Sequence, residues 1–214
     1  MKFGERRLEM LETEKFYVIG NNLSLDFINT KIADGTKPKD LLESVEDLVS
    51  WAIVVKMVEK NDAKSHLASW TAKSENFFNE ALRFRAVLHD LFSGVMLDEK
   101  VKASEINSIN QLLRTQTGYA ELSPNEKGFE KRFHTDFHDA RQLLMSIASS
   151  AADLLCYGNL DLIKKCEGEN CVLYFFDTTK NHSRRWCSMG HCGNRAKANA
   201  FYKRKKLGLN ERQI

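Results

Sequence analysis

The chain has 214 residues, 43% hydrophobic and 29% charged, with a formal net charge of +3; this permits a sizeable buried core and predicts one large domain with a small appendage. No stretch approaches the roughly 18 to 20 uninterrupted apolar residues of a membrane-spanning helix, and the start MKFGERRLEMLETEKF lacks a signal-like apolar segment, so a cytoplasmic protein with no membrane partner is expected. The charge is unevenly spread: residues 164–214 hold twelve Lys/Arg against four acidic residues, which leaves residues 1–163 at −5, as expected when one segment meets a polyanion and the other does not.

Lys15 to Gly20, KFYVIG, predicts a short strand, closed by a turn at Gly20, Asn21 and Asn22. LSLDFINT fits both helical spacing and strand alternation; Asn22 in front of it favours a short capped helix. Ser44 followed by Asp47 resembles a capping arrangement, and Leu48, Trp51, Ala52 and Val55 recur at helical spacing, so Ser44 to Glu59 is expected to be helical. Asp62 to Met96 carries the same period, as one long helix or two with a break near Ser74. Ala103 to Thr115 predicts a further helix. Around SPNEKG the chain predicts a hairpin, Tyr119–Leu122 against Phe129–Phe133. Asp136 to Cys156 has the broad apolar face of a core helix, with Cys156 inside that pattern. The expected class is α+β: a mainly helical body with a small hairpin, residues 1–163, and a separate C-terminal unit, residues 164–214.

That unit holds Cys166-x4-Cys171 and, after fifteen intervening residues, Cys187-x4-Cys192. In a reducing compartment two close cysteine pairs predict metal ligands rather than disulfides, and four thiolates suit tetrahedral structural zinc. Between the pairs, VLYFFDT is β-prone, TKNHS is turn-like and RRWC returns as a strand, so a treble-clef-like finger is expected, with Cys192 at the start of a helix. His182 and His191 are alternative ligands of lower standing. A site closed by four protein ligands predicts a structural rather than a catalytic metal.

Projected at about 100° per residue, Arg195, Asn199, Tyr202, Lys203 and Lys206 share one side of that helix, while Ala196, Ala200 and Phe201 offer a footing against the hairpin aromatics. Lys and Arg suit phosphates, and Arg and Asn have bidentate geometry for base edges. The candidate nucleic-acid contacts are therefore Arg184, Arg185, Arg195, Lys197, Asn199, Lys203, Arg204 and Lys206. The competing explanation is that these cations only offset a zinc–thiolate site of charge −2.

The segment resembles the CGNR zinc finger, whose motif stands here as Cys192, Gly193, Asn194 and Arg195, preceded by FFDTTKNHSRRWCSM. The body resembles the ABATE domain through GNNLSLDFINT, LLESVEDLVSW and ALRFRAVLHDL. The resemblance implies a bacterial, stress-responsive, DNA-binding transcription regulator with a zinc finger and an N-terminal domain that senses a signal, through an effector of unknown identity, or forms a homodimer. RNA- or ribosome-association, and a protein-interaction module with a purely structural finger, are the alternatives.

Two further constellations stand out in the body. Asp26 lies in an apolar run and requires a partner if buried; Arg85 is the expected one, joining two elements, with Asn22 and Asn29 as backbone caps. His134-x3-His138 predicts a solvated pair ahead of a metal site. No Gly-rich phosphate loop and no nucleophile–base arrangement can be singled out, so an enzyme is not expected.

Overall fold

The computed structural model describes residues 15–34, 37–61, 74–126, 128–135 and 140–206. The body runs α1 (Leu23–Ile28), β1 (Lys31–Asp34), β2 (Lys37–Asp40), α2 (Val45–Val54), α3 (Ser74–Met96), α4 (Ala103–Leu113), β3 (Gly118–Asn125), β4 (Gly128–Thr135) and α5 (Arg141–Tyr157). After a 3-10 turn (Leu160–Leu162) come β5 (Ile163–Lys165), β6 (Tyr174–Phe176), a π turn (Met189–Gly193) and α6 (Asn194–Lys206). The fold is α+β and mainly helical, with three separate two-stranded antiparallel sheets among the described residues.

Local chemistry accounts for the helix starts. The Asn22 side chain accepts from the backbone N–H groups of Ser24 and Leu25 at the head of α1, and Ser44 accepts from Asp47 at the head of α2, each supplying an acceptor that the first turn otherwise lacks. Glu105 reaches back to accept from the Lys102 N–H at 2.9 Å, which starts α4 in the same way.

Burial then fixes the arrangement. Short as it is, α1 is buried from Ser24 to Ile28 and packs against α3, α5 and β6. Phe27 meets Trp51 of α2 with ring centroids 5.2 Å apart. Leu88, Leu91 and Phe92 of α3 and Leu143, Leu144, Ile147 and Ala151 of α5 complete the core. Each large apolar side chain so buried contributes about 1.5–3 kcal/mol, which lets a six-residue helix persist where an isolated one would not.

Several expectations are corrected. Lys15–Gly20 forms no strand: the Ile19 and Gly20 N–H groups donate to the Asp26 carboxylate instead of to a neighbouring strand. The β1–β2 hairpin was not foreseen, because KPKD is weakly β-prone and Pro38 is tolerated only on an exposed strand such as β2. Cys156 is exposed, on the side of α5 away from the core, beside an exposed Tyr157. The β3–β4 hairpin runs further than expected, from Gly118 paired with Thr135 to Asn125 paired with Gly128. Residues 62–73, the first part of the expected third helix, lie outside the described residues, as does His138; His134 is on β4, bonded to Glu121 at 2.6 Å and stacked on Tyr119.

Candidate metal centre

The finger is built on β5 and β6, paired with Lys164 opposite Phe175. The chain leaves β5 at Cys166, turns through Glu167–Asn170 and returns at Cys171, so the first cysteine pair lies in the connection of one hairpin. This differs from the expected pairing of VLYFFDT with RRWC: β6 pairs backward with β5, and RRWC is not a strand, meeting the turn through one backbone–backbone bond, from Glu167 N to Arg185 O at 2.9 Å. Cys187 follows that segment, and Cys192 sits in the π turn that leads into α6.

The four sulfurs lie within 4.8 Å of one another. Cys171 and Cys187 Sγ are 4.0 Å apart, too far for a disulfide bond and close to the edge of about 3.8 Å of a tetrahedron with metal–sulfur arms of about 2.3 Å. Cys166 Sγ accepts from the backbone N–H of Cys187 at 3.1 Å and of Gly168 at 3.3 Å, the kind of support a metal-bound thiolate uses. Gly168 is required by space, since a Cβ there would stand 2.6 Å from Cys192 Sγ.

Crowding makes the thiols titrate as a set. Hydrogen bonding, led by Cys187, pulls Cys171 down to about 5. That same bond, with burial, drives Cys187 upward, and burial pushes Cys192 up to about 11. One thiolate is stabilised by its neighbours' protons, so ionising all four requires a cation among them. Four soft, convergent, largely buried donors fit a zinc-type ion, held by Cys166, Cys171, Cys187 and Cys192; it would supply a cross-link and leave no open position for substrate. Neither histidine joins the set: His191 packs edge-on against Tyr17, and the His182 ring lies by the Asp177 carbonyl.

The loop between β6 and Cys187 is organised by Asp177, which is fully buried. Its carboxylate accepts from Lys164 Nζ at 2.7 Å, from the Thr179 N–H and hydroxyl, and from the Arg184 N–H at 2.9 Å. Burial works against its charge, but these donors prevail and hold it below the ordinary carboxylate range. Arg184, one of the candidate phosphate contacts, turns inward. Its guanidinium donates to the carbonyls of Ile19, Trp186 and Cys187 and lies 4.0 Å from the centre of the Phe175 ring. It is thus the cation beside the thiolates and is not free to meet phosphate.

The body holds the outer edge of β6. The Asn29 amide both accepts from Tyr174 N and donates to Tyr174 O, each at 2.8 Å. Gly20 O accepts from Phe176 N at 2.8 Å, and the Asn21 amide donates to Phe176 O at 3.0 Å. GNNLSLDFINT therefore satisfies the backbone of a strand that has no second partner strand among the described residues, and the finger is docked. Asn29 is also the helix cap that sequence reasoning expected, its N–H donating to Leu25 O at 3.0 Å; what that reasoning missed is the tie from its side chain to β6, whose signal was an amide inside an apolar, buried run.

The expected Asp26–Arg85 pair does not form. Asp26 Oδ1 takes the Ile19 and Gly20 N–H groups at 2.8 and 2.7 Å; burial outweighs these bonds and raises its carboxyl to about 6. Arg85 instead grips Asp40 through both guanidinium nitrogens and donates to Thr30 Oγ1 at 2.7 Å, tying α3 to the β1–β2 hairpin. For Asp40, burial raises the carboxyl, yet Arg85 and the Leu42 N–H hold it below its ordinary value.

Of the remaining nucleic-acid candidates, Arg185 is exposed and paired with Glu167 at 2.6 Å. Arg195, Lys197, Asn199, Lys203, Arg204 and Lys206 are all exposed on α6, which buries no residue. Of the expected apolar footing only Ala196 is half-buried; Ala200 is exposed, Phe201 is 48% exposed, and Tyr202, on the basic side, is 66% exposed. The helix projects from the metal-bound turn, carrying cations and no acidic residue.

Residues 21–158 match the ABATE family, described as "putative stress-induced transcription regulator", and residues 163–205 match the CGNR zinc finger. No curated protein matches the chain. Among the described residues no helix is long and apolar enough to cross a membrane.

Proposed function

The chain belongs to the ABATE family and carries a CGNR zinc finger, and from that premise we propose that it is a zinc-dependent, DNA-binding transcription regulator whose finger helix contacts DNA while the body senses a signal or dimerises. The observation that carries this is α6: six cations, no acid and no buried side chain on a helix anchored at its N-terminal end by a metal ligand. A helix that buries no side chain gains little from the core. Arg184 is one cation beside the thiolates and offsets one of the two charges of a zinc–thiolate site, so charge compensation accounts for at most one of the six cations of α6.

Arg195, Asn199, Lys203 and Lys206 share the face that enters a groove, with Lys197 and Arg204 flanking it towards phosphates. Arg185 extends the basic surface once Glu167 releases it. The metal is structural on this proposal, and the chain has no catalytic role. The exposed Phe201 and Tyr202 favour one second reading, stacking on unpaired RNA bases. Selection of bound fragments from the organism's own genomic DNA, with a Cys187→Ser control and structured RNA as competitor, separates the two. Enriched duplex fragments, lost in the control and resistant to RNA, support the proposal; preferential RNA capture favours the second reading, and no capture of either overturns both.

A further inference from the structure

A cleft of about 960 Å³ lies where the docked finger meets the body, near the upper end of the roughly 300–1,000 Å³ of ordinary ligand sites. One wall is a single face of α3, where Leu82, Arg85, Ala86 and His89 follow helical spacing; the opposite wall is the metal turn from Lys165 to Val172, and the β1–β2 hairpin closes a third side. Without the finger in place one wall is missing, so whatever fills the cleft touches both parts of the chain.

The lining defines the chemistry of the occupant. The walls between Ile28, Ile32 and Pro38 on one side and Leu82 and Val172 on the other are apolar. The acidic groups at the cleft are engaged: Asp90 with His89 at 3.2 Å, Glu167 with Arg185 at 2.6 Å. Arg85 is held by Asp40. Lys31 and Lys165 line the same cleft; their side chains form no ion pair or hydrogen bond among the described residues, although Lys31 is near enough to Asp40 to help lower its carboxyl, and Cys166 and Cys171 of the metal turn line the opposite wall. An apolar chamber with two ammonium groups outside ion pairs suits an apolar molecule bearing one acidic group placed beside them.

We infer that this cleft is the effector site, taking an amphipathic carboxylic acid that bridges α3 and the metal turn and so fixes the finger on the body. The regulatory part of this inference rests on the DNA-binding proposal; the binding part does not, and the test uses no DNA, so failure of one is distinguishable from failure of the other. The probe is decanoate, titrated calorimetrically into the zinc-loaded full chain, with decylamine and decanol as comparisons.

Decanoate is expected to bind one per chain, about tenfold more tightly than either comparison. Lys31→Glu, at an exposed position of β1, and Ala86→Trp, at an exposed position of α3, are each expected to weaken it about tenfold at unchanged zinc content. Bound decanoate is expected to slow zinc transfer to a chromophoric chelator about threefold, because a ligand seated on both parts stabilises the docked finger. Absence of decanoate binding, equal binding of decylamine or decanol, wild-type affinity in both variants, or unchanged zinc transfer overturns the inference.

Discussion

Asn29 offers the sharpest test of how the finger is held. Its side chain makes two buried hydrogen bonds at 2.8 Å, to Tyr174 N and Tyr174 O, on the edge of β6 that β5 does not cover. Asn29→Ala leaves a donor and an acceptor bare, and each unsatisfied buried group costs about 1–3 kcal/mol. Both lie in the buried contact between α1 and β6, so the expected loss is about 2–6 kcal/mol. Asn29→Asp still accepts from Tyr174 N but sets a carboxylate against Tyr174 O, and is expected to lose about as much. The assay is urea unfolding of the zinc-saturated protein, in which the midpoint falls by about 1–2 M while the slope is kept. A loss below about 0.5 kcal/mol in Asn29→Ala would refute the reasoning, since the strand edge would then owe nothing to the amide.

Asp26→Asn keeps the Oδ1 acceptor for Ile19 and Gly20 and removes a carboxyl raised to about 6 by burial. Because the folded value lies above the ordinary 3.8, wild-type stability falls as pH rises from about 4 through 6 and is flat above. The variant should therefore gain on wild type across that window, by at most about 3 kcal/mol; parallel melting curves at pH 4.5 and 7 check this, and a constant difference contradicts it. Gly168→Ala drives a Cβ towards Cys192 Sγ and should lower zinc affinity about tenfold or more, read by chelator competition. Arg184→Lys cannot reach three carbonyls at once and should cost about 2–4 kcal/mol. It should leave DNA affinity of the folded, zinc-loaded fraction unchanged, whereas a phosphate contact would show a shallower salt dependence.

What the sequence displayed was whatever depends on near neighbours. The cysteine spacing marked the four thiols that converge, and Asn22 and Ser44 marked helix starts, because thiol pairs and caps act over a few residues. Pairings across the fold were not legible. The expected partner of Arg85 was Asp26, and only the placement of the β1–β2 hairpin beside α3 gives it Asp40. The β-prone YFF was recognised, yet its partner is the unremarkable IKK, chosen because Cys166 and Cys171 must converge. Arg184 and Arg195 are both arginines near zinc-ligating cysteines; one turns inward to carbonyls and a ring, the other outward, a distinction of burial that composition does not carry.

The central claim is that α6 meets DNA from a metal-fixed finger, and the direct measurement is an anisotropy titration of a selected genomic duplex with wild type and the triple variant Arg195→Glu, Lys203→Glu, Lys206→Glu at matched zinc content. All three side chains are exposed and touch nothing in the core, so folding and zinc should be kept. The account predicts steeply salt-dependent binding by wild type, with a slope of about −0.9 per phosphate contacted, and none by the variant. Equal affinity of the two proteins, both carrying zinc, would contradict it.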